Sequence, residues 1–186
     1  MNLETIKAGL PDYAKDLRLN LDSVLSESGA PGLSARQIAI IALASAIASR
    51  HEPLTEAVAT QASAVLSPAE LDAARAAAAI MAMNNIYYRF THLVEDAEYE
   101  TLRASLRMNV IANPGCGKID FELASLAVSA INGCGKCVAS HEKTLRKHEV
   151  PALAIQSSAR IAAVIHAVAV TIEQAAAAAP VIAEAA

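Results

Sequence analysis

Nowhere in this chain do apolar and polar side chains alternate at the period of two that a half-buried strand requires. Apolar residues instead recur every three or four positions. Leu3, Ile6 and Leu10 open the pattern, and after Pro11-Asp12 it resumes through Tyr13, Leu17, Leu21 and Val24. This opening helical hairpin reads as packing material. Beyond Gly29-Ala30-Pro31-Gly32, Ser34 and Gln37 form a capping box that starts a buried helix through Ile38, Ile41, Ala42 and Ser45, ending near Arg50. Pro53 suits the start of the next helix, and Ser67-Pro68-Ala69-Glu70 is the strongest helix start in the chain. The class is therefore all-α.

Further along, Met83-Asn84-Asn85-Ile86-Tyr87-Tyr88-Arg89 closes that long helix, and a charged segment from Asp96 to Arg103 leads into an irregular region, Ser105 to Ile119. Asp120 is expected to cap the helix carrying Glu122. After Val150-Pro151 a final pair of helices is expected, the second running from about Ser158 to Pro180 at the latest. An internal repeat is legible at an offset of 84 to 85: Ser45-Ala46-Ile47 against Ser129-Ala130-Ile131, and Ala74-Arg75 against Ala159-Arg160. On that offset Arg50 and Pro53 stand where the second half has Cys134 and Cys137, so only the second half carries chemistry.

Composition excludes several classes. A net charge of −4, with no basic cluster and few aromatic rings, argues against nucleic-acid binding. Much of the 54 % hydrophobic content is alanine, and no uninterrupted apolar run reaches the roughly 18 residues of a spanning segment. No membrane role is expected. The opening MNLETIKAGLPDYAKD does not read as a secretory signal, which makes a reducing cytoplasm the expected location.

The chemistry concentrates in Glu122 to His141, with the skeleton E-x11-C-x2-C-x3-H. On a helix, Cys134, Cys137 and His141 fall within roughly 60° of one face. Asn132-Gly133 interrupts the apolar run, so Cys134 opens a new helix, whose free N–H groups and dipole favour a thiolate. A lone C-x-x-C suits a redox dithiol or half of a metal site about equally. Lys136, between the thiols, repels a metal and favours a thiolate, which tips the reading towards redox. Zinc held by Cys134, Cys137, His141 and Glu122 is the runner-up, as a metal-binding or redox-sensing module. Which thiol is the nucleophile stays open: the helix start favours Cys134, and His141, one turn on, favours Cys137. The more N-terminal sulfur is expected to be the more exposed. Glu122 is placed to trade protons with His141. Cys116 reads as a bystander, His166 as a hydrogen-bonded core histidine, and His51, His92 and His148 as undistinguished. Met81, Met83, Tyr87 and Tyr88 read as packing.

This skeleton, with MNNIYYR at 83–89, LRMNVIANPG at 106–115 and FELASLAVSAINGC at 121–134, resembles the alkyl hydroperoxidase D (AhpD) family of the carboxymuconolactone-decarboxylase-like superfamily. The resemblance implies a single AhpD-like domain over 1–186, with N-terminal helices at 1–33, a scaffold half at 34–104 and a second half with the C-x-x-C site at 105–186. It implies a homotrimer and an antioxidant peroxidase that reduces alkyl hydroperoxides and regenerates a partner peroxiredoxin. It further implies that no cofactor or metal is bound and that electrons come from dihydrolipoamide on a lipoyl-bearing acyltransferase component of a 2-oxoacid dehydrogenase. Carried over, Cys137 forms the sulfenic acid, Cys134 is the proton donor and resolving thiol, Cys134 and Cys137 form the redox disulfide, and Glu122 and His141 relay protons. A member of that family has a histidine at the place of Lys136, so dithiol exchange is expected to survive this departure better than proton-coupled peroxide cleavage.

Overall fold

The computed structural model describes residues 2–178. Nine α-helices occur among them, with no β-strand: α1 Leu3–Ala8, α2 Lys15–Val24, α3 Ala35–Ala48, α4 Glu52–Ala62, α5 Pro68–Leu93, α6 Ala97–Thr101, α7 Lys118–Ile131, α8 Gly135–Lys147 and α9 Ala152–Ala178. Two short 3₁₀ turns, Asp12–Ala14 and Asn109–Ala112, lie between them. The centre is built by α3 and α7, which pack on each other and each touch both α5 and α9. Their sequences explain this position. In α7 Phe121 and the seven consecutive residues from Leu123 to Ser129 are small or apolar and buried, as is most of α3, so neither helix has a broad polar face to show water. The remaining helices cover this centre: α4 lies on α3, α8 on α7 and α5, α2 on α9, and α1 on α4.

Helix starts obey the local chemistry. Ser34 and Ser67 each accept a hydrogen bond from the third helical N–H, while the Gln37 and Glu70 side-chain oxygens accept one from the cap's own backbone N–H. Glu70 is also buried and paired with Arg36, which ties the start of α5 to α3. Two expected features are corrected. Asp120 does not cap α7; that helix starts one turn earlier, after Gly117, and Asp120 accepts a hydrogen bond from Gln37 Nε2 at 2.8 Å. The expected pair of final helices is a single helix, α9, because its serines do not act as caps. Ser157 Oγ donates to Pro31 O and Ser158 Oγ to Leu123 O, anchoring α9 to the rest of the core without breaking its backbone. The expected stop at Pro180 lies outside the described residues. α9 is also the one described helix long and apolar enough to cross a membrane, but half of its most apolar window is buried within the fold, which is the state of a core helix.

Helix lengths and starts repeat. The run α3, α4, α5 has 14, 11 and 26 residues and the run α7, α8, α9 has 14, 13 and 27. From Ala35 to Lys118 and from Glu52 to Gly135 the offset is 83, and from Pro68 to Ala152 it is 84. The register is therefore one residue shorter at the first two helices than the sequence matches suggest, and His51 and Leu54, not Arg50 and Pro53, are the counterparts of Cys134 and Cys137.

Candidate active site

The turn between α7 and α8 puts the first cysteine in place. Asn132 ends α7, Gly133 takes a left-handed backbone (φ 68°), and Cys134 becomes the N-cap of α8. Arg50 has the same left-handed backbone (φ 59°) before His51, which caps α4 by accepting from Leu54 N. Glycine at 133 meets this geometry without the strain a Cβ imposes. Cys134 Sγ accepts from Cys137 N at 3.3 Å, so the helix start directs an N–H at the sulfur, an arrangement that favours negative charge there. One turn into the helix, Cys137 is bonded to Cys134 as a disulfide, with Cα atoms 5.3 Å apart.

From α5, two residues lock this turn. Asn85 Nδ2 donates to Ser129 Oγ at 2.8 Å, and its Oδ1 accepts from Asn132 Nδ2 at 2.9 Å. One turn further, Arg89 Nη1 donates to Asn132 O at 2.6 Å. The long helix that reads as simple packing thus positions the dithiol.

Glu122 on α7 and His141 on α8 meet through Oε2 and Nδ1 at 2.7 Å, their side chains only 13 % and 16 % exposed. With Glu122 ionised, Nδ1–H donates to the carboxylate, leaving Nε2 as the working end. Nε2 lies 3.3 Å from Met81 Sδ and faces a pocket of about 380 Å³ that also takes in Asn84, Tyr88, Met108, Lys136 and Cys137. Lys136 Nζ is paired with Glu100 Oε1 at 2.5 Å, and this ammonium holds the Glu100 carboxyl below the usual carboxylate range. Part of the charge expected to favour a thiolate is therefore engaged elsewhere.

A second hollow, of about 490 Å³, lies over Cys134 and is lined by small residues such as Ala130, Gly133, Gly135 and Ala139. The expected order of exposure is reversed: Cys134 is 0 % exposed and Cys137 is 6 %. An N-cap side chain folds back over its own helix start, which covers the first sulfur. Cys116 lies half-buried on the loop before α7, where burial and the Asp120 carboxylate push its thiol up to about 11. Among the described residues no group of three or more His, Cys, Asp or Glu side chains is placed to hold a metal ion, so the zinc reading gains no donor set.

Four features escaped the sequence reading. His51 is a buried helix cap, a role that its position before Glu52-Pro53 signals. His166, expected in the core, is exposed and lies 3.3 Å from Ser49 Oγ. Met81 and Tyr88 line the pocket beside Cys137, and Met108 joins them from the irregular loop. Tyr13, expected to pack, is exposed.

A C-x-x-C disulfide beside a carboxylate–imidazole pair, mounted on helices alone, defines an all-helical thiol redox class. Comparison with known proteins narrows it. The Carboxymuconolactone decarboxylase family model matches residues 97–180, the part that carries the site. A protein of Gluconacetobacter diazotrophicus named alkyl hydroperoxide reductase AhpD is 55 % identical over 177 residues, covering 95 % of this chain and 96 % of that protein. One of the same name from Coxiella burnetii (strain Dugway 5J108-111) is 58 % identical over 88 % of this chain and 93 % of its own. Another, from Bradyrhizobium sp. (strain BTAi1), is 52 % identical over 99 % of this chain and all of its own length. The chain belongs to the AhpD family.

Proposed function

We propose that the protein is a dithiol alkyl hydroperoxide reductase in which Cys137 attacks the peroxide. The observation carrying this reading is that Cys137 and the Nε2 end of His141 face one pocket with apolar walls at Met81, Tyr88 and Met108, while Cys134 is already within bonding reach of Cys137. The Cys137 thiolate attacks the terminal oxygen of an organic hydroperoxide, forming an S–O bond and breaking the O–O bond. The alkoxide leaves with the electron pair and takes, from His141 Nε2, the proton that Nε2 accepted when the Cys137 thiol ionised, while Glu122 orients the ring. Cys134 then condenses with the sulfenic acid, forming the disulfide and releasing water.

Reduction needs a dithiol. A slender, flexible donor of the dihydrolipoamide class suits two sulfurs that are both buried. The same exchange run against an oxidised partner, such as a peroxiredoxin disulfide, regenerates that partner. Exposed Ile86, Phe90 and Leu93 on α5, with Leu102 beyond α6, form an apolar face that supports self-association into the trimer the family resemblance implies.

Intact-mass analysis after one equivalent of cumene hydroperoxide, followed by dihydrolipoamide, tests the cycle. The reduced protein should lose two protons and regain them. Cys134→Ser should stall at a Cys137 sulfenic acid, Cys137→Ser should abolish turnover, and Cys116→Ser should leave it intact. Turnover retained by Cys137→Ser sinks the assignment.

A further inference from the structure

Two adjacent asparagines on α5 have opposite fates. Asn85 is fully engaged, holding Ser129 and Asn132 and through them the turn that carries Cys134. Asn84 is also buried, 6 % exposed, yet its Oδ1 has no hydrogen-bond partner in the protein. A buried amide left without a partner costs about 1–3 kcal/mol, and folded proteins rarely tolerate one without a use for it. Asn84 lines the pocket that Cys137 and His141 share, one turn from both Met81 and Tyr88 on the same helix. The amide turns end for end about its last bond, so it presents either an acceptor or an N–H donor to whatever enters.

We propose that Asn84 is a catalytic residue that donates an N–H hydrogen bond to the alkyl-bearing oxygen of the hydroperoxide as the O–O bond breaks. This rests on the peroxidase reading above and assigns the one charge that reading leaves unheld. When the Cys137 thiolate attacks the terminal oxygen, negative charge passes from sulfur to the oxygen attached to carbon. His141 neutralises that charge by giving up a proton. Asn84, which has no proton to give, holds the oxygen in line with the sulfur and stabilises the charge before the proton arrives. A neutral donor pre-placed at the point where charge develops stabilises it without being reorganised. The amide's other end accepts from the hydroperoxide O–H in the resting complex, which fixes which oxygen meets the sulfur. The substrate class follows: an organic hydroperoxide whose carbon substituent packs on Met81, Tyr88 and Met108, with both oxygens between Cys137 and Asn84. Disulfide reduction develops no charge at that oxygen and does not call on Asn84.

The test separates the two half-reactions in stopped flow. Asn84→Ala should slow the single-turnover oxidation of the reduced protein by tert-butyl hydroperoxide about a hundredfold. Asn84→Asp, whose carboxylate repels the developing alkoxide, should be slower still. With peroxyacetic acid, whose leaving carboxylate needs little help, the Asn84→Ala loss should shrink to a few-fold. Reduction of the oxidised protein by dihydrolipoamide should proceed at the wild-type rate, and thermal stability should not fall, because the substitution removes an unpartnered polar group. An equal loss for both peroxides, an equal loss in both half-reactions, or no loss at all overturns the role of Asn84. A wild-type protein that no hydroperoxide oxidises overturns the peroxidase reading itself, and Asn84 with it.

Discussion

Cys116 lies half-buried beside Asp120, and burial first, then the carboxylate's charge, oppose its ionisation. With its thiol pushed up to about 11, only about one part in a thousand is thiolate at pH 8, roughly a hundredth or less of what a free cysteine presents. A short iodoacetamide pulse on the reduced protein at pH 8 should therefore label Cys134 or Cys137 well before Cys116. The Cys116 rate should climb as pH rises towards 11, since the raised pKa keeps the neutral form below that value. Early labelling of Cys116 in peptide mass spectra contradicts this. The site's own residues were legible for a local reason: Cys134, Cys137 and His141 share one helix, and Glu122 ends up opposite them across a single tight turn, so spacing alone brings them together. Met81, Asn84 and Tyr88 were not legible, because they arrive from a helix some fifty residues earlier and nothing in their own spacing separates a pocket wall from core. Asn85 and Arg89, the clamp on the dithiol turn, were hidden in the same way.

Among the helices, α5 carries the most roles: capped at one end by Ser67, it holds the dithiol turn, the pocket wall and the exposed apolar face. Its start is reinforced three ways, by the Ser67 hydroxyl, by the reciprocal Glu70 carboxylate and by Arg36 paired to that carboxylate. Ser67→Ala removes one of these, and loss of an N-cap hydroxyl costs about 1 kcal/mol. Urea denaturation should show the midpoint falling while its slope stays constant, and peroxide turnover should be unchanged, since the catalytic part of α5 lies several turns away. A change in slope or a loss of activity at constant stability contradicts a purely local capping role. Capping chemistry is what made α3 and α5 readable, because a serine three residues before a glutamine or glutamate signals a helix start through contacts of that same segment. It misled at α7 and α9. Asp120 and Ser158 have the residue types of caps, but each spends its side chain on a distant partner, Gln37 and Leu123, and only the packed core decides that.

Across the whole molecule, the 83-residue offset pairs a working half with a silent one. Glu122 corresponds to Ala39 and His141 to Val58, and both of these line an apolar pocket of about 220 Å³ in the first half. His51 and Leu54 hold the places of the cysteines, with the cap geometry kept and the sulfur chemistry absent. The sequence matches made the relation visible but misplaced its register by a residue, since alanine-rich helices align almost equally well when slipped. What the silent half retains is packing: α3 supplies the centre against which α7 is held, and α4 covers α3 as α8 covers α7. Among the described residues, an exposed apolar face runs along the outer end of α5, where Ile86, Phe90 and Leu93 recur at helical spacing. That end of α5 also carries Arg89, the clamp on the dithiol turn, and includes Tyr88 of the pocket wall. Burial of this face against further copies would therefore stiffen the turn and pocket as well as remove apolar surface from water. Phe90→Glu places a charge at the middle of the face and should convert the proposed trimer to monomer in sedimentation velocity, with the helical circular-dichroism signal preserved. The monomer should retain the Cys134–Cys137 disulfide but turn over peroxide more slowly, and an unchanged sedimentation coefficient would remove this face from the proposed interface.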